Sequence, residues 1–195
     1  VTGETEAKGY IEESVASQIL RRAPIILFLA VFFVITATVL KAFKGILVDG
    51  PDAVILLLPM VLATGGMVGT QASSLVIRAL TVGNVQPGQM FVVIWKEVRI
   101  SLALGVALAA IVFGEAWWFA DPTDPHVWRT CWVLSLAMAL HVLTAALFGA
   151  TIPILATAMR GDPANVSTPA VTALADLSGA AIYLIVATSL LPTAP

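Results

Sequence analysis

The chain has 195 residues, of which 59% are hydrophobic and only 11% charged, and its formal net charge at pH 7 is -2. With a mean hydropathy of +0.97, this composition lies far outside that of soluble domains and indicates an integral membrane protein. The single cysteine excludes an internal disulfide and a cysteine-based metal cluster, and the charge balance gives no support for nucleic-acid binding. The first residue is Val rather than Met, and the opening segment lacks the order of a signal peptide, so a fragment or a processed chain is expected.

The N-terminal segment, residues 1–22, is predicted to form a short amphipathic connecting helix that lies along the membrane surface. Its apolar residues recur at helical spacing: Tyr10, Ile11, Val15 and Ile19. This helix is expected to end at Arg21 and Arg22. The remainder, residues 23–195, is expected to form one membrane domain.

Five segments are apolar over the roughly 20 residues that a membrane-spanning helix needs: 23–42, 53–80, 100–119, 127–159 and 166–191. The predicted fold class is therefore all-α, a polytopic membrane protein. The second and fourth segments are long and contain Pro59 and Pro153, so they are expected to be tilted, kinked or locally unwound. Residues 87–99 are predicted to form an interfacial piece before the third span, anchored by Trp95.

The basic residues orient the bundle with a cytoplasmic N-terminus and an extracytoplasmic C-terminus. This orientation places seven of them inside, namely Lys8, Arg21, Arg22, Arg78, Lys96, Arg99 and Arg160, and three outside, namely Lys41, Lys44 and Arg129. The predicted location is the inner or plasma membrane. Because five spans do not divide into equal halves, any symmetry is expected to arise by oligomerisation.

Asp176 is the most informative residue, because a carboxylate within a span costs about 2.5 to 3.5 kcal/mol unless a partner offsets it. At 100° per residue it shares a helix face with Asn165, Thr172 and Gly179. The stripe is predicted to face the bundle interior or a water-filled cavity. A purely structural role, hydrogen bonding between helices, is the alternative.

Small and polar residues crowd the second span over residues 57–78. The candidates for lining a pathway in this segment are Gly65, Gly66, Met67, Gly69 and Gln71. The Gly65–Gly69 spacing also permits close helix packing. The two interpretations are a packing surface and an unwound, pore-lining segment.

His141 lies within the fourth span, where a lone histidine is more often a packing residue than part of a proton relay. No nucleophile elbow, glycine-rich phosphate loop or pair of metal-binding histidines occurs in the sequence, so an enzyme is not expected. One carboxylate among hydroxyl and amide oxygens suits Mg²⁺, which keeps several waters and uses one or two carboxylates. Two copies of Asp176 in a symmetric dimer would meet that requirement.

Three stretches of the sequence resemble the transmembrane domain of the MgtE magnesium channels: PMVLATGGMVGTQASSLVIRAL, GATIPILATAMRGDPA and PAVTALADLSGAAIYLIVATSLL. The resemblance covers residues 14–192 and is strongest in the last span, where Asp176 occupies the place of a pore aspartate. It implies a homodimer with five helices per subunit, a pore at the dimer interface, and binding of largely hydrated Mg²⁺ by the aspartates.

The chain departs from that family pattern at three places. Met67 stands where the family's GGNxGxQ motif has Asn, an acidic residue common after the first span is replaced near Lys44, and His141 stands where Asn is frequent. The family's cytoplasmic regulatory domains, which sense Mg²⁺, are not part of this sequence. Expected partners are a second copy, membrane lipid and divalent cations. Two other functions remain open: a proton- or sodium-coupled carrier using Asp176 and His141, and a membrane scaffold that conducts nothing.

Overall fold

In the computed structural model, which describes residues 14–120, 123 and 125–191, every regular element is helical. The α-helices in chain order are α1 Val15–Ala42, α2 Lys44–Val48, α3 Asp52–Thr81, α4 Met90–Phe119, α5 Val127–Ala158 and α6 Pro163–Leu190. Among the described residues, five helices are long and apolar enough to cross a membrane: all of these except α2. The five predicted spans are therefore confirmed, and the chain is an integral membrane protein.

The first span begins earlier than predicted, because α1 runs without interruption from Val15 to Ala42. Its start is set by Ser14, whose hydroxyl accepts a hydrogen bond from the backbone N–H of Ser17 at 3.3 Å. Residues 15–22 thus belong to the same helix as the first predicted span, so the helix predicted to end at Arg22 continues beyond it. Its position along the membrane surface stays a prediction. No glycine or proline separates the two parts before Pro24. Tyr10 and Ile11 lie outside the described residues.

The third span also begins earlier than predicted. Pro87–Gln89 forms a single 3-10 turn, and α4 then runs continuously from Met90. Trp95 is exposed in the second turn of α4, and the Arg99 guanidinium lies 5.9 Å from the centre of its ring. The predicted interfacial piece is therefore the start of the spanning helix itself rather than a separate element.

The connection between α5 and α6 is short and well capped. Arg160 adopts a positive φ of 59°, which ends α5. The Asp162 side chain accepts a hydrogen bond from the Ala164 N–H at 2.9 Å, and Pro163 occupies the first helical position. As a result α6 starts before Asn165, and that residue is helical.

Helix α5 occupies the centre of the described bundle and packs against α3, α4 and α6, whereas α1 packs on α6. The largest fully buried side chains of the core include Leu134, Met138 and Tyr183. The Tyr183 hydroxyl donates a hydrogen bond to the Val54 carbonyl at 2.8 Å and so ties α6 to α3.

Contacts along the helices give their directions. Positions 65 and 69 of α3 meet residues 141 and 145 of α5, so these two helices are parallel. Position 69 of α3 also meets Val171, while position 66 meets Asp176, so α6 is antiparallel to both. Helices α1, α4 and α6 consequently begin at one end of the bundle, here called the N-terminal end.

Candidate functional site

Asp176 lies near the middle of the bundle, as the fourteenth of the 28 residues of α6. A Cβ built on Gly66 of α3 would lie 3.9 Å from Asp176 Oδ1, so the carboxylate stands beside the bare backbone of α3. The side chain is only partly buried, and within the described residues it accepts no hydrogen bond and makes no ion pair. The chain therefore leaves this carboxylate available to a ligand at a depth where an unpartnered charge is costly.

All four residues of the stripe predicted from helical spacing belong to α6: Asn165, Thr172, Asp176 and Gly179. Asn165, Thr172 and Asp176 are each partly exposed. Gly179 is different: it is buried, and a Cβ on it would lie 2.6 Å from Nε2 of His141. The structure thus groups the first three residues on an open face and turns Gly179 towards α5.

The predicted candidates on α3 also divide into exposed and buried residues. Met67 and Gln71 are exposed, with Met67 64% accessible. Gly65 and Gly69 are buried against α5, and Gly66 is buried beside Asp176. Helix α3 is an uninterrupted α-helix through all five positions, so of the two interpretations of this segment the unwound one is not found. The glycines here serve close packing.

Hydroxyl groups extend the open face along both helices. Thr70 donates to the Gly66 carbonyl at 2.9 Å, Ser74 donates to the Thr70 carbonyl at 2.9 Å, and Thr172 donates to the Thr168 carbonyl at 3.1 Å. Because each proton is used within its own helix, each oxygen presents only lone pairs to its surroundings. Together with the carboxylate, these groups form a surface that accepts hydrogen bonds.

The open face leads to a cavity of about 480 Å³ at the N-terminal end of the bundle. Asn165 and Thr168 line this cavity, together with Asp162 and with Arg22 from α1. Since Thr168, Thr172 and Asp176 follow one another at intervals of four residues, they lie in line along α6. A polar track therefore runs from the cavity to the middle of the span.

His141 lies behind this face and not on it. Its side chain is fully buried between α3 and α6, where a Cβ on Gly65 would overlap its ring. Both ring nitrogens are buried and make no hydrogen bond within the described residues. This placement fits the packing interpretation of His141.

The part of one chain that the structure describes holds no cluster of metal-binding side chains. Within the described residues, no group of three or more His, Cys, Asp or Glu side chains lies close enough together to hold a metal ion. Asp176 would therefore need water, neutral oxygens or a second copy of the chain to complete the coordination of a divalent ion.

Sequence analysis counted Thr70 and Ser74 among the small and hydroxylated residues of this segment but did not include them in the candidates for lining a pathway. The signal was present, because Gly66, Thr70 and Ser74 recur every four residues and such residues share one side of a helix. It also missed the closeness of Asp176 to Gly66, since spacing along one helix carries no information about its neighbours.

Comparisons with known proteins show which family the chain resembles. The family model MgtE, described as a divalent cation transporter, matches residues 58–186. The chain is 32% identical over 182 residues to the magnesium transporter MgtE of Thermus thermophilus, an alignment covering 93% of the chain and 39% of that protein. It is 25% identical over 173 residues to the magnesium transporter MgtE of Bacillus subtilis, covering 87% of the chain and 36% of that protein. The chain thus spans less than two fifths of the length of the relatives it matches.

Proposed function

Because the chain belongs to the MgtE family of divalent cation transporters, we propose that two copies form a pore that moves hydrated Mg²⁺ across a membrane. Asp176 is the main ion-binding residue of this pore, with Thr172 and Asn165 beside it. The single observation that carries the proposal is the partly exposed, unpartnered carboxylate in the middle of a span, beside Gly66. The coarser conclusion, an integral membrane protein of a transporter family, rests directly on the five spans and the family match.

The dimer follows from the coordination chemistry of the ion. Mg²⁺ holds its waters strongly and is usually bound through one or two carboxylates rather than by an all-protein cage. One chain offers one carboxylate at this depth, so a two-fold axis along the open face of α3 and α6 would bring two together. The same symmetry would cover a polar surface that lipid cannot solvate.

The hydroxyl groups favour a hydrated cation over a bare one. Waters bound to Mg²⁺ point their hydrogens outward, so they need acceptors on the wall of the pathway. Thr70, Ser74 and Thr172 supply such acceptors without rearrangement, because their own protons are already used. The pathway would continue along α6 to the cavity lined by Asn165 and Thr168.

The orientation and location are part of the proposal. The seven-to-three distribution of basic residues supports a cytoplasmic N-terminal end in the cell membrane. The cavity beside Arg22 would then open towards the cytoplasm. Because the matched relatives are longer than this chain, the proposal also allows for cytoplasmic regulatory domains outside it.

The test is Mg²⁺ flux into liposomes that contain equal amounts of the parent chain, Asp176→Ala or Asp176→Asn. Both substitutions should reduce flux to the level of empty liposomes, while Asp49→Asn, which removes an exposed carboxylate after α2, should not. Mg²⁺ should also raise the Tm of the parent and of Asp49→Asn, and not that of the Asp176 variants, because a ligand of the folded state stabilises it.

Three results would contradict parts of the proposal. Parental flux through a folded Asp176→Asn variant would remove Asp176 from the site. Flux that requires a proton or sodium gradient and stops in His141→Asn would favour the coupled carrier. A folded, dimeric parent that conducts no ion under any gradient would favour the scaffold.

A further inference from the structure

Glu97 is a largely buried carboxylate on α4, far from Asp176 in sequence. It belongs to the first turns of α4 and retains only 9% of its accessible surface. Within the described residues no group donates a hydrogen bond to it, and Lys96 is its neighbour in the chain. Its carboxylate oxygens are not among the fully buried polar atoms, and Glu97 lines a cavity, so the carboxylate can accept a hydrogen bond from a cationic or donating ligand there.

A cavity of about 460 Å³ surrounds Glu97 where the end of α3 meets the start of α4. Asn84, Gln89 and Lys96 contribute its other polar side chains, and Val92 and Ile100 are among its apolar ones. A cavity of this size holds a small headgroup, and its mixed lining suits a molecule that is polar at one end and apolar at the other.

A second cavity, of about 510 Å³, lies on the adjoining side of the same helix and shares Lys96 and Ile100 with the first. Arg99 adds a second positive charge here, and Ala103 and Leu104 carry the lining deeper into the span. The two cavities together are called the α4 groove. It places the Lys96 and Arg99 side chains beside the Glu97 carboxylate. Its lining extends about 12 Å along α4, from Lys96 to Leu104, and becomes apolar towards Leu104.

The α4 groove lies at the level of the lipid headgroups. Trp95 is exposed and stacks with the Arg99 guanidinium at 5.9 Å, an arrangement typical of side chains at the membrane interface. Ile100, where the most apolar part of α4 begins, lies directly below Lys96. A molecule bound by the charged groups would therefore place its apolar part along α4 in the hydrocarbon region.

We propose that the α4 groove binds a phospholipid whose headgroup carries both a phosphate and a primary ammonium, that is, phosphatidylethanolamine. The phosphate would lie between Lys96 and Arg99, the ammonium would donate to the Glu97 carboxylate, and one acyl chain would follow Ala103 and Leu104. The charge pattern selects this lipid. Phosphatidylglycerol has no group that donates as a cation to Glu97, and the trimethylated ammonium of phosphatidylcholine has no N–H to donate.

The experiment is native mass spectrometry of the purified full chain with each of the three lipids at equal concentration. The parent should retain phosphatidylethanolamine about tenfold more strongly than phosphatidylcholine, the ratio that one hydrogen bond to a charged group typically contributes. Glu97→Gln should reduce that ratio to about one while leaving phosphatidylcholine retention unchanged.

Two further variants keep the test independent of whether Glu97→Gln folds. Lys96→Gln combined with Arg99→Gln should lower the retention of all three lipids, because all carry the phosphate. Lys41→Gln, which removes an exposed cation from the last turn of α1, should change none of them.

Equal retention of phosphatidylethanolamine and phosphatidylcholine by the parent would overturn the proposal, as would an intact preference in Glu97→Gln. Stronger retention of phosphatidylglycerol than of phosphatidylethanolamine would show that the basic residues act alone, and would overturn it as well. Because the readout is lipid retention rather than ion flux, the outcome does not depend on the proposed Mg²⁺ pore.

Discussion

A methyl group on Gly149 of α5 would overlap the backbone carbonyl oxygen of Gly69 on α3. The same methyl would lie 2.9 Å from the Cβ of Ala72. The atom that the methyl would meet on Gly69 belongs to the backbone, so a change of side-chain rotamer cannot move it aside. The parallel pair α3 and α5 is therefore held at a spacing that only glycine at position 149 permits.

Gly149→Ala is expected to lower the free energy of unfolding by about 1 to 3 kcal/mol, the usual range for overpacking a close-packed interior. Gly114→Ala on α4 is the matched control, since nothing lies within 4 Å of its Cβ position. Thermal or denaturant unfolding in detergent measures both. Equal stability of Gly149→Ala and Gly114→Ala would mean that α3 and α5 are further apart than described.

Gly65→Ala should be strongly destabilising, because its methyl group would overlap the His141 ring. Removing the ring should relieve the clash, so Gly65→Ala combined with His141→Ala should be more stable than Gly65→Ala alone. Such a coupling between neighbours is commonly about 0.5 to 3 kcal/mol in a double-mutant cycle. If the double variant lost as much stability as the two single variants together, the contact between residue 65 and His141 would be contradicted.

The adjacent glycine supplies a control within the same turn of helix. Gly66→Ala has room for its methyl, with Asp176 Oδ1 at 3.9 Å as its nearest neighbour, so it should fold nearly as well as the parent. His141→Ala should not change its stability, because position 66 faces α6. Rescue of Gly66→Ala by His141→Ala would mean that the orientation of α3 is different.

Met67→Asn is expected to raise Mg²⁺ flux or to sharpen the preference for Mg²⁺ over Ca²⁺. Met67 is 64% exposed on the side of α3 that carries Gln71, and an amide there could accept hydrogen bonds from ion-bound water. Fluxes of both ions at matched protein density measure the effect. Val106→Asn on α4, at an equally exposed position, is the control. Identical fluxes for the parent and Met67→Asn would mean that residue 67 faces lipid or another helix.

A symmetric dimer through the open face should place residue 67 of one copy within cross-linking reach of residue 67 of the other. Cys131 is fully buried, so the native chain offers no accessible thiol among the described residues. Met67→Cys should form a disulfide-linked dimer in bilayers on mild oxidation, and Val106→Cys should not. A dimer with Val106→Cys alone would move the interface to the α4 side.

The number and approximate position of the spans could be predicted from the sequence, because about 20 apolar residues in a row have few alternatives. Helix ends were less predictable. Asp162 and Pro163 start α6 three residues before the apolar segment does, through a local capping hydrogen bond. At α1 and α4 the helix extends past the apolar segment into charged residues, since helical hydrogen bonding does not depend on hydropathy.

Within the candidate site, the sequence predicted which residues share one face of a helix, but not which neighbouring helix that face contacts. Asp176 and Thr172 share a face by spacing, which one helix fixes. The opposite orientations of Gly65 and Gly66, one towards His141 and the other towards Asp176, depend on how three helices pack. Of the two interpretations of the glycine-rich segment of α3, the structure favours the packing surface, because a glycine-rich helix can satisfy its own backbone while allowing close neighbours.

Helix α1 is less buried within the chain than the other spans. Only 6% of the residues in its most apolar stretch are buried within the chain, against 56% for α5, and α6 is the helix on which it packs. Under heat or mechanical load, parts of a protein with little burial open before the rest. In a single-molecule pulling experiment on the isolated chain, α1 should therefore separate first and as an event of its own, leaving α3 to α6 to unfold together.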